Sequence, residues 1–313
     1  RNTLAENGLS TYALFAGQRF ILGMEPQEIV SPYQIIAGDA NCDGQFSTLD
    51  LFLIQRIIIG VSQHFGECPS WVFVKSGQYM PSEFTATNVF PYEHCDTLML
   101  MKDTVSNFVG VKVGDILGHA NPNSAYTEIT APRSNGKLQL FAKSQTLSKG
   151  ELLEIPVMSS NFNQIASFQM GLAFDVSKLE FVDIVPSNHP ALAQLAIGKT
   201  DVANGALRLS WFDLRGEGIT VQPDEVLFTL RFRVWNNIDH LAEVLEINSR
   251  YLRAEAHNSD TEQLDIQFNV EGSAIIGGTN EPAISYKLYQ NVPNPFRQQT
   301  YIGFDLPADM QAD

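Results

Sequence analysis

Hydrophobic spacing changes once along this chain. In the first sixty residues apolar positions recur at helical spacing. Leu14, Gly17 and Ile21 share one face of STYALFAGQRFILG (Ser10–Gly23), and Leu51, Ile54 and Ile58 share one face of STLDLFLIQRIIIG (Ser47–Gly60). From Lys137 the period becomes two. LQLFA, ELLEIPVM, ASFQMGLAFD, LEFVDIV, ALRLSWFD, EVLFTLRFRV, LEIN and LDIQFNV read as short strands broken by Gly, Pro, Asn and Asp turns. Many short strands with such turns predict a β-sandwich. Between the two regimes lies a loop-rich stretch with one expected strand at Val109–Val113, followed by the polar linker NPNSAYTEITAPRSNGK.

The two helical phrases are copies. A shift of 37 residues carries Ser10–Gly23 onto Ser47–Gly60, and Ser, Thr, Leu, Phe, Gln, Arg, Ile and Gly coincide. The second copy is preceded by GDANCDGQF, where Asp39, Asn41 and Asp43 alternate and Gly44, Gln45, Ser47 and Asp50 follow. This is the oxygen spacing of an EF-hand loop, positions 1, 3, 5, 6, 7, 9 and 12. A hard cation asks for such a set. Asp39, Asn41, Asp43 and Asp50 offer side-chain oxygens, Gln45 its carbonyl, and Ser47 a direct or water-mediated contact, so one Ca2+ is expected here. In the first copy Asn2, Leu4, Glu6 and Ala13 stand where Asp39, Asn41, Asp43 and Asp50 stand in the second. The closing carboxylate is gone, and that copy is expected to be metal-free.

Position 12 is Asp rather than Glu, and no entering helix is evident before Asp39. The pattern D-x-N-x-D-G-x-x-x-x-x-D-L, followed by an apolar helix ending in Gly, resembles the dockerin repeat. The resemblance implies a partner surface on the repeat helices, at Thr11, Tyr12, Gln18 and Arg19 in the first copy and Thr48, Leu49, Gln55 and Arg56 in the second. These depart from the usual Ser-Thr and Lys-Arg choices, so partner identity is not carried over. FVGVKVGDILGHA is similar to a phrase that closes such modules in bacterial surface proteins, with Asp115 read as a turn cap. Further on, GELLEIPV, SFQMGLAFDVSKLEFV, LRLSWFD and DEVLFTLRFRV, in that order, resemble a cohesin domain, whose jelly-roll sandwich binds dockerins and is related in fold to carbohydrate-binding modules. LYQNVPNPF, ahead of an alternating strand and LP, is similar to the start of the C-terminal sorting domain of type IX secretion substrates, which implies export and a place at the bacterial cell surface.

The expected fold class is therefore multidomain: a small α-helical calcium-loop (dockerin-like) module over 1–121, a linker over 122–136, an all-β cohesin-like jelly-roll sandwich over 137–275 and a partial β sorting domain over 283–313. Because residue 1 already lies inside the first repeat, the sequence reads as part of a longer protein.

Charge narrows the partners. Of 313 residues 35 are acidic and 20 basic, a net charge of −15, which argues against nucleic acid and anionic membrane. No apolar run reaches the length of a transmembrane segment. The three cysteines are Cys42, Cys68 and Cys95. In an exported protein a Cys68–Cys95 disulfide is the leading expectation, with Cys42 a free thiol inside the loop. Two unpaired thiols, or a zinc site drawing on His64 and His94, stand beside it. DTL and DTV resemble the O-glycosylation acceptor of bacteria that use type IX secretion, which points to Thr97 and Thr104.

No G-x-S-x-G, H-E-x-x-H or G-x-x-x-x-G-K-[ST] occurs. Asp213 and Glu217, in WFDLRGEG, have the look of a glycosidase pair but read as a strand-end loop. Trp211 and Phe212 alternate on a strand, so one faces the core and the other is a candidate platform for a sugar or a partner. The expected function is a non-catalytic, calcium-stabilised scaffold or adhesin segment that attaches other cell-surface proteins or cohesin/dockerin-type modules and leaves the cell through the type IX secretion machinery. The alternative is the accessory tail of a secreted hydrolase that binds polysaccharide. Helical repeats and sandwich can meet in two ways: between chains, giving an open fibre, or within a chain, giving a rigid spacer.

Overall fold

Ser10 and Ser47 start the two repeat helices in the same way. Each is extended, and its hydroxyl accepts an amide proton of the first turn, from Ala13 and Leu49 respectively. The helices are α1 (Thr11–Ile21) and α3 (Thr48–Ile58), and each ends just before a glycine of positive φ, Gly23 and Gly60. They pack on each other at Gly17, where a Cβ would sit 2.8 Å from Leu51 Cδ2 and 2.9 Å from Phe46 Cζ. Between them lies a helix that the sequence reading did not anticipate, α2 (Pro32–Gly38). SPYQ builds it: Ser31 and Gln34 form a capping box and Pro32 occupies the first helical position.

The computed structural model describes residues 5–24, 28–77, 105–122, 136–143, 149–238, 240–271, 287–288 and 304–305. Strands β1 (Trp71–Lys75) and β2 (Phe108–Lys112) pair antiparallel and close the helical core. Lys112 is buried there. Its ammonium donates to Ala5 O at 2.9 Å and Val113 O at 3.0 Å, fastening the first repeat onto β2, and burial pushes its pKa down to about 8.

The sandwich is a run of ten strands: β3 (Gly136–Lys143), β4 (Leu152–Ser159), β5 (Ile165–Phe174), β6 (Leu179–Pro186), β7 (Ala196–Gly198), β8 (Ala206–Phe212), β9 (Phe228–Val234), β10 (Leu245–Ile247), β11 (Glu255–Asn258) and β12 (Gln263–Glu271). Neighbours follow the order β6-β9-β4-β3-β12-β11-β5-β8-β7, with β10 on β5. Only β3 and β12 run parallel among the paired strands. The eight expected strands are present; β7 and β11, short and weakly apolar, were not foreseen.

Two of these strands are buried on both faces. On β5 the large residues Phe168, Met170, Leu172 and Phe174 enter the sandwich core, while Ser167 and Gln169 are buried on the opposite side. On β8, Leu207, Leu209 and Trp211 fill the core, while Ser210 and Phe212 are buried opposite. The cover over that second face is the helical module, whose core includes Ala166 and Phe212 of the sandwich. Ala166 reaches it because the register of β5 against β11 slips between His257 and Asn258, leaving this residue in a bulge.

Helices and sandwich together make one compact unit, 1–271; a second unit spans 272–313. In the second, β13 (Lys287–Leu288) pairs antiparallel with β14 (Phe304–Asp305). The rest of the expected sorting domain, the insert with Cys95, Thr97 and Thr104, and most of the linker lie outside the described residues.

Candidate functional site

Two places carry chemistry: the seam between the repeat helices and the sheet, and the loop 39–50.

The seam is built from short polar side chains on both elements. Gln169 Oε1 accepts from Thr11 N and from Thr11 Oγ1, each at 2.8 Å, and Gln169 Nε2 donates to Arg253 O at 3.3 Å. Thr11 Oγ1 and Ser210 Oγ are 2.9 Å apart, and Gln55 Nε2 donates to Ser210 Oγ at 3.3 Å. Thr11, Gln169 and Ser210 are fully buried, and Gln55 and Arg253 are half-buried. One hydrogen-bonded chain thus ties both repeat copies to β5 and β8. A buried polar network in which each member is satisfied fixes one geometry, because any slip strands a donor or acceptor at a cost of about 1–3 kcal/mol.

Around that chain the fit is close. Tyr12 stacks on His257 of β11, with ring centroids 4.1 Å apart and planes within 14°, and its hydroxyl donates to Glu28. Burial, with the neighbouring charges of Arg253 and His119, lowers the His257 pKa to about 4. Gln18 Nε2 donates to Leu214 O at 3.1 Å. At the far end Thr200 Oγ1 donates to Gly60 O at 2.9 Å, and a Cβ on Gly198 would lie 1.9 Å from Ile59 O.

The eight predicted partner-binding residues therefore divide. Thr11, Tyr12 and Gln18 are buried, Arg19 is half-buried, and the first three meet the sheet or its loops in the same chain. In the second copy Thr48 and Leu49 are exposed, and Gln55 and Arg56 are half-buried. Beside them Phe52, which the sequence reading passed over, is 52 % exposed under the Arg56 guanidinium. Helical spacing was the signal that would have found it, since Leu49, Phe52 and Arg56 form a stripe opposite the core face. Phe52, Thr48, Gln55 and Leu214 line a cleft of about 240 Å3.

In the loop the carboxylates turn to backbone amides. Asp50, fully buried, accepts from Ala40 N and Asn41 N on Oδ1, and from Ser47 N and Ser47 Oγ on Oδ2. Asp39 accepts from Asp43 N and Gly44 N, and Asp43 from Gln45 N. Gly44 makes the turn with φ +83°. Burial and the charges of Asp50 and Asp43 raise the Asp39 pKa, against the amides of Gly44 and Asp43. Among the described residues no three His, Cys, Asp or Glu side chains converge on a ligating point, and none of the loop carboxylates has a cationic partner. The donor set still suits a hard cation at Asp39 and Asp43, whose oxygens accept one hydrogen bond each and keep another lone pair, whereas each Asp50 oxygen already accepts two. Ser47 is engaged as the helix cap, holding Asp50 by its hydroxyl.

Three expectations are corrected. Cys68 bonds Cys42 rather than Cys95, with Cα atoms 5.6 Å apart, so Cys42 is not a free thiol. The chain after α3 turns back at Phe65–Cys68 into the helical core, a fold-back invisible to spacing. The loop also has an entering helix, α2. Trp211 is in the core, with its indole N–H donating to Ala191 O, and Phe212 lies under the helices, so neither is an exposed platform. Asp213 lies on a strand-end loop as expected, where it is buried and accepts the amides of Arg215, Glu217 and Gly218. Asp115 caps a turn as expected, through the amides of His119 and Ala120.

Residues 138–270 match the family model of the cohesin domain. Solved structures give the same likeness. A cohesin in a type I cohesin–dockerin complex from Clostridium thermocellum is 17% identical over 44% of this chain and 92% of its own, with a TM-score of 0.35. A non-cellulosomal cohesin from the archaeon Archaeoglobus fulgidus is 18% identical over 43% and 87%, at 0.33. A type I cohesin from Pseudobacteroides cellulosolvens is 14% identical over 43% and 87%, at 0.35. A search of curated proteins returned no match. The likeness to the cohesin domain thus spans the sandwich, residues 138–270. Among the described residues no helix is long and apolar enough to cross a membrane.

Proposed function

We propose that this chain is a non-catalytic, calcium-stabilised attachment segment of a bacterial cell-surface protein, in which a dockerin-like repeat pair is docked on the cohesin domain of its own chain and the two act as one rigid spacer. The observation that carries this is the buried chain Gln55–Ser210–Thr11–Gln169. Calcium, held by Asp39, Asn41, Asp43, Asp50 and the Gln45 carbonyl, with Ser47 orienting Asp50, keeps the second helix in place beneath it. The stripe Thr48, Leu49 and Arg56, with Phe52, is the face left for another surface protein, while Gln55 is engaged by Ser210. Export by the type IX machinery rests on the LYQNVPNPF phrase, and glycans on Thr97 and Thr104 on their three-residue motifs. The hydrolase-tail reading loses its aromatic platform with the burial of Trp211 and Phe212.

Light scattering of the full chain in calcium and in chelator tests this reading. A monomer at all concentrations, with a melting temperature raised by calcium, supports it; calcium-dependent growth in mass favours the fibre and contradicts it.

A further inference from the structure

Besides Phe46, whose ring is buried in the helical core, the loop 39–50 is held at three points, and two of them belong to its flanking helices. Asp39 N donates to Ile35 O at the end of α2, and Asp50 sits in the first turn of α3. The third is Cys42, at a non-ligand position between Asn41 and Asp43 and itself in the left-handed region at φ +60°. Its disulfide partner Cys68 is buried in the helical core, 26 residues on. Apart from this bond, the tip of the loop is held by contacts among Asp39, Asn41 and Asp43 and by the Asn41 amide on Asp50. These are the side chains a cation would recruit.

We infer that the Cys42–Cys68 disulfide sets the calcium affinity of the loop, so that the segment takes up calcium in an oxidising compartment and releases it when the bond is reduced. The inference rests on the calcium reading above. Its physical basis is preorganisation: with the tip tethered to the core, Asn41 and Asp43 stay beside Asp39 and Asp50 before the ion arrives. With the tether cut, binding must also order the tip. The redox step balances with an external dithiol. The S–S bond accepts two electrons and two protons to give the Cys42 and Cys68 thiols, and the dithiol closes to its own disulfide. Coupling between two sites is reciprocal, so bound calcium must resist that reduction by the same factor by which reduction weakens calcium.

The test uses the full chain carrying Cys95→Ser, in which Cys42–Cys68 is the one disulfide possible. Calorimetric titration with calcium chloride, before and after treatment with dithiothreitol, is expected to show one ion per chain, with the dissociation constant raised at least about fivefold on reduction, the lower end of usual couplings. The thiol–disulfide equilibrium against dithiothreitol, with and without calcium, should shift by the same factor, and Asp43→Ala should abolish that shift. Equal affinity in the two redox states overturns the inference and leaves the calcium site standing. No binding in the oxidised protein overturns both.

Discussion

Thr11 and Ser210 are 199 residues apart in sequence, yet their hydroxyl oxygens are 2.9 Å apart in a fully buried seam. Thr11 gives its own proton to Gln169, so Ser210 is the donor across this pair. Gln169→Leu is expected to strand the Thr11 amide and hydroxyl and to cost about 1–3 kcal/mol in urea denaturation. In a double-mutant cycle with Thr11→Ala the losses should fall well short of additive, because both remove one network. Additive losses would show that the seam is not a unit.

Gly198 tests the same contact by steric means. A Cβ there would lie 1.9 Å from the Ile59 carbonyl oxygen, so Gly198→Ala must push α3 from the sheet edge. Thermal unfolding should report a loss of about 1–3 kcal/mol. Gly150→Ala, where no atom lies within 4 Å, meets no such clash and differs only in its backbone strain.

Loop carboxylates should separate calcium from folding. Asp50 satisfies three backbone amides, of Ala40, Asn41 and Ser47, so Asp50→Ala should destabilise the chain by about 1–3 kcal/mol even in chelator and also abolish the calcium-induced rise in melting temperature. Asp43 is exposed and accepts from Gln45 N and Asn41 Nδ2. Asp43→Ala should lose the rise with calcium while changing the chelated protein little. Melting curves of both variants, with and without calcium, decide it.

Acid should loosen the seam through His257. Its folded pKa is held near 4 against an ordinary 6.5, chiefly by burial, so the unfolded chain binds the extra proton between those values. Stability is therefore complete above pH 6.5 and falls as pH drops through the window to 4, by about 3 kcal/mol. His257→Phe keeps a ring against Tyr12 and should flatten this limb in chemical denaturation followed across pH.

Much of this was legible in the sequence. The repeat, the oxygen spacing of the loop and eight strands followed from local patterns, because periodicity and turns act over a few residues. The missing parts are long-range. Ser167, Gln169 and Ser210 alternate with large apolar residues and read as a solvated sheet face, whereas they lie beneath the helices. Nothing local distinguishes a polar side chain that meets water from one that meets Thr11. The disulfide failed for the same reason: Cys68 and Cys95 flank an insert in sequence, while the fold-back after α3 brings Cys42 within reach of Cys68. Gln34 and Ser31 were a local signal for α2 that went unread.

The central claim is that the repeat helices dock on the sheet of their own chain. Hydrogen exchange of the Thr11 amide, whose acceptor is the Gln169 side chain, reads this directly. In calcium, that amide and the α1 amides should exchange slowly and equally at low and high protein concentration, and Gln169→Leu should speed them without exposing β3 or β4. Protection that grows with concentration, or that ignores Gln169, would contradict the account.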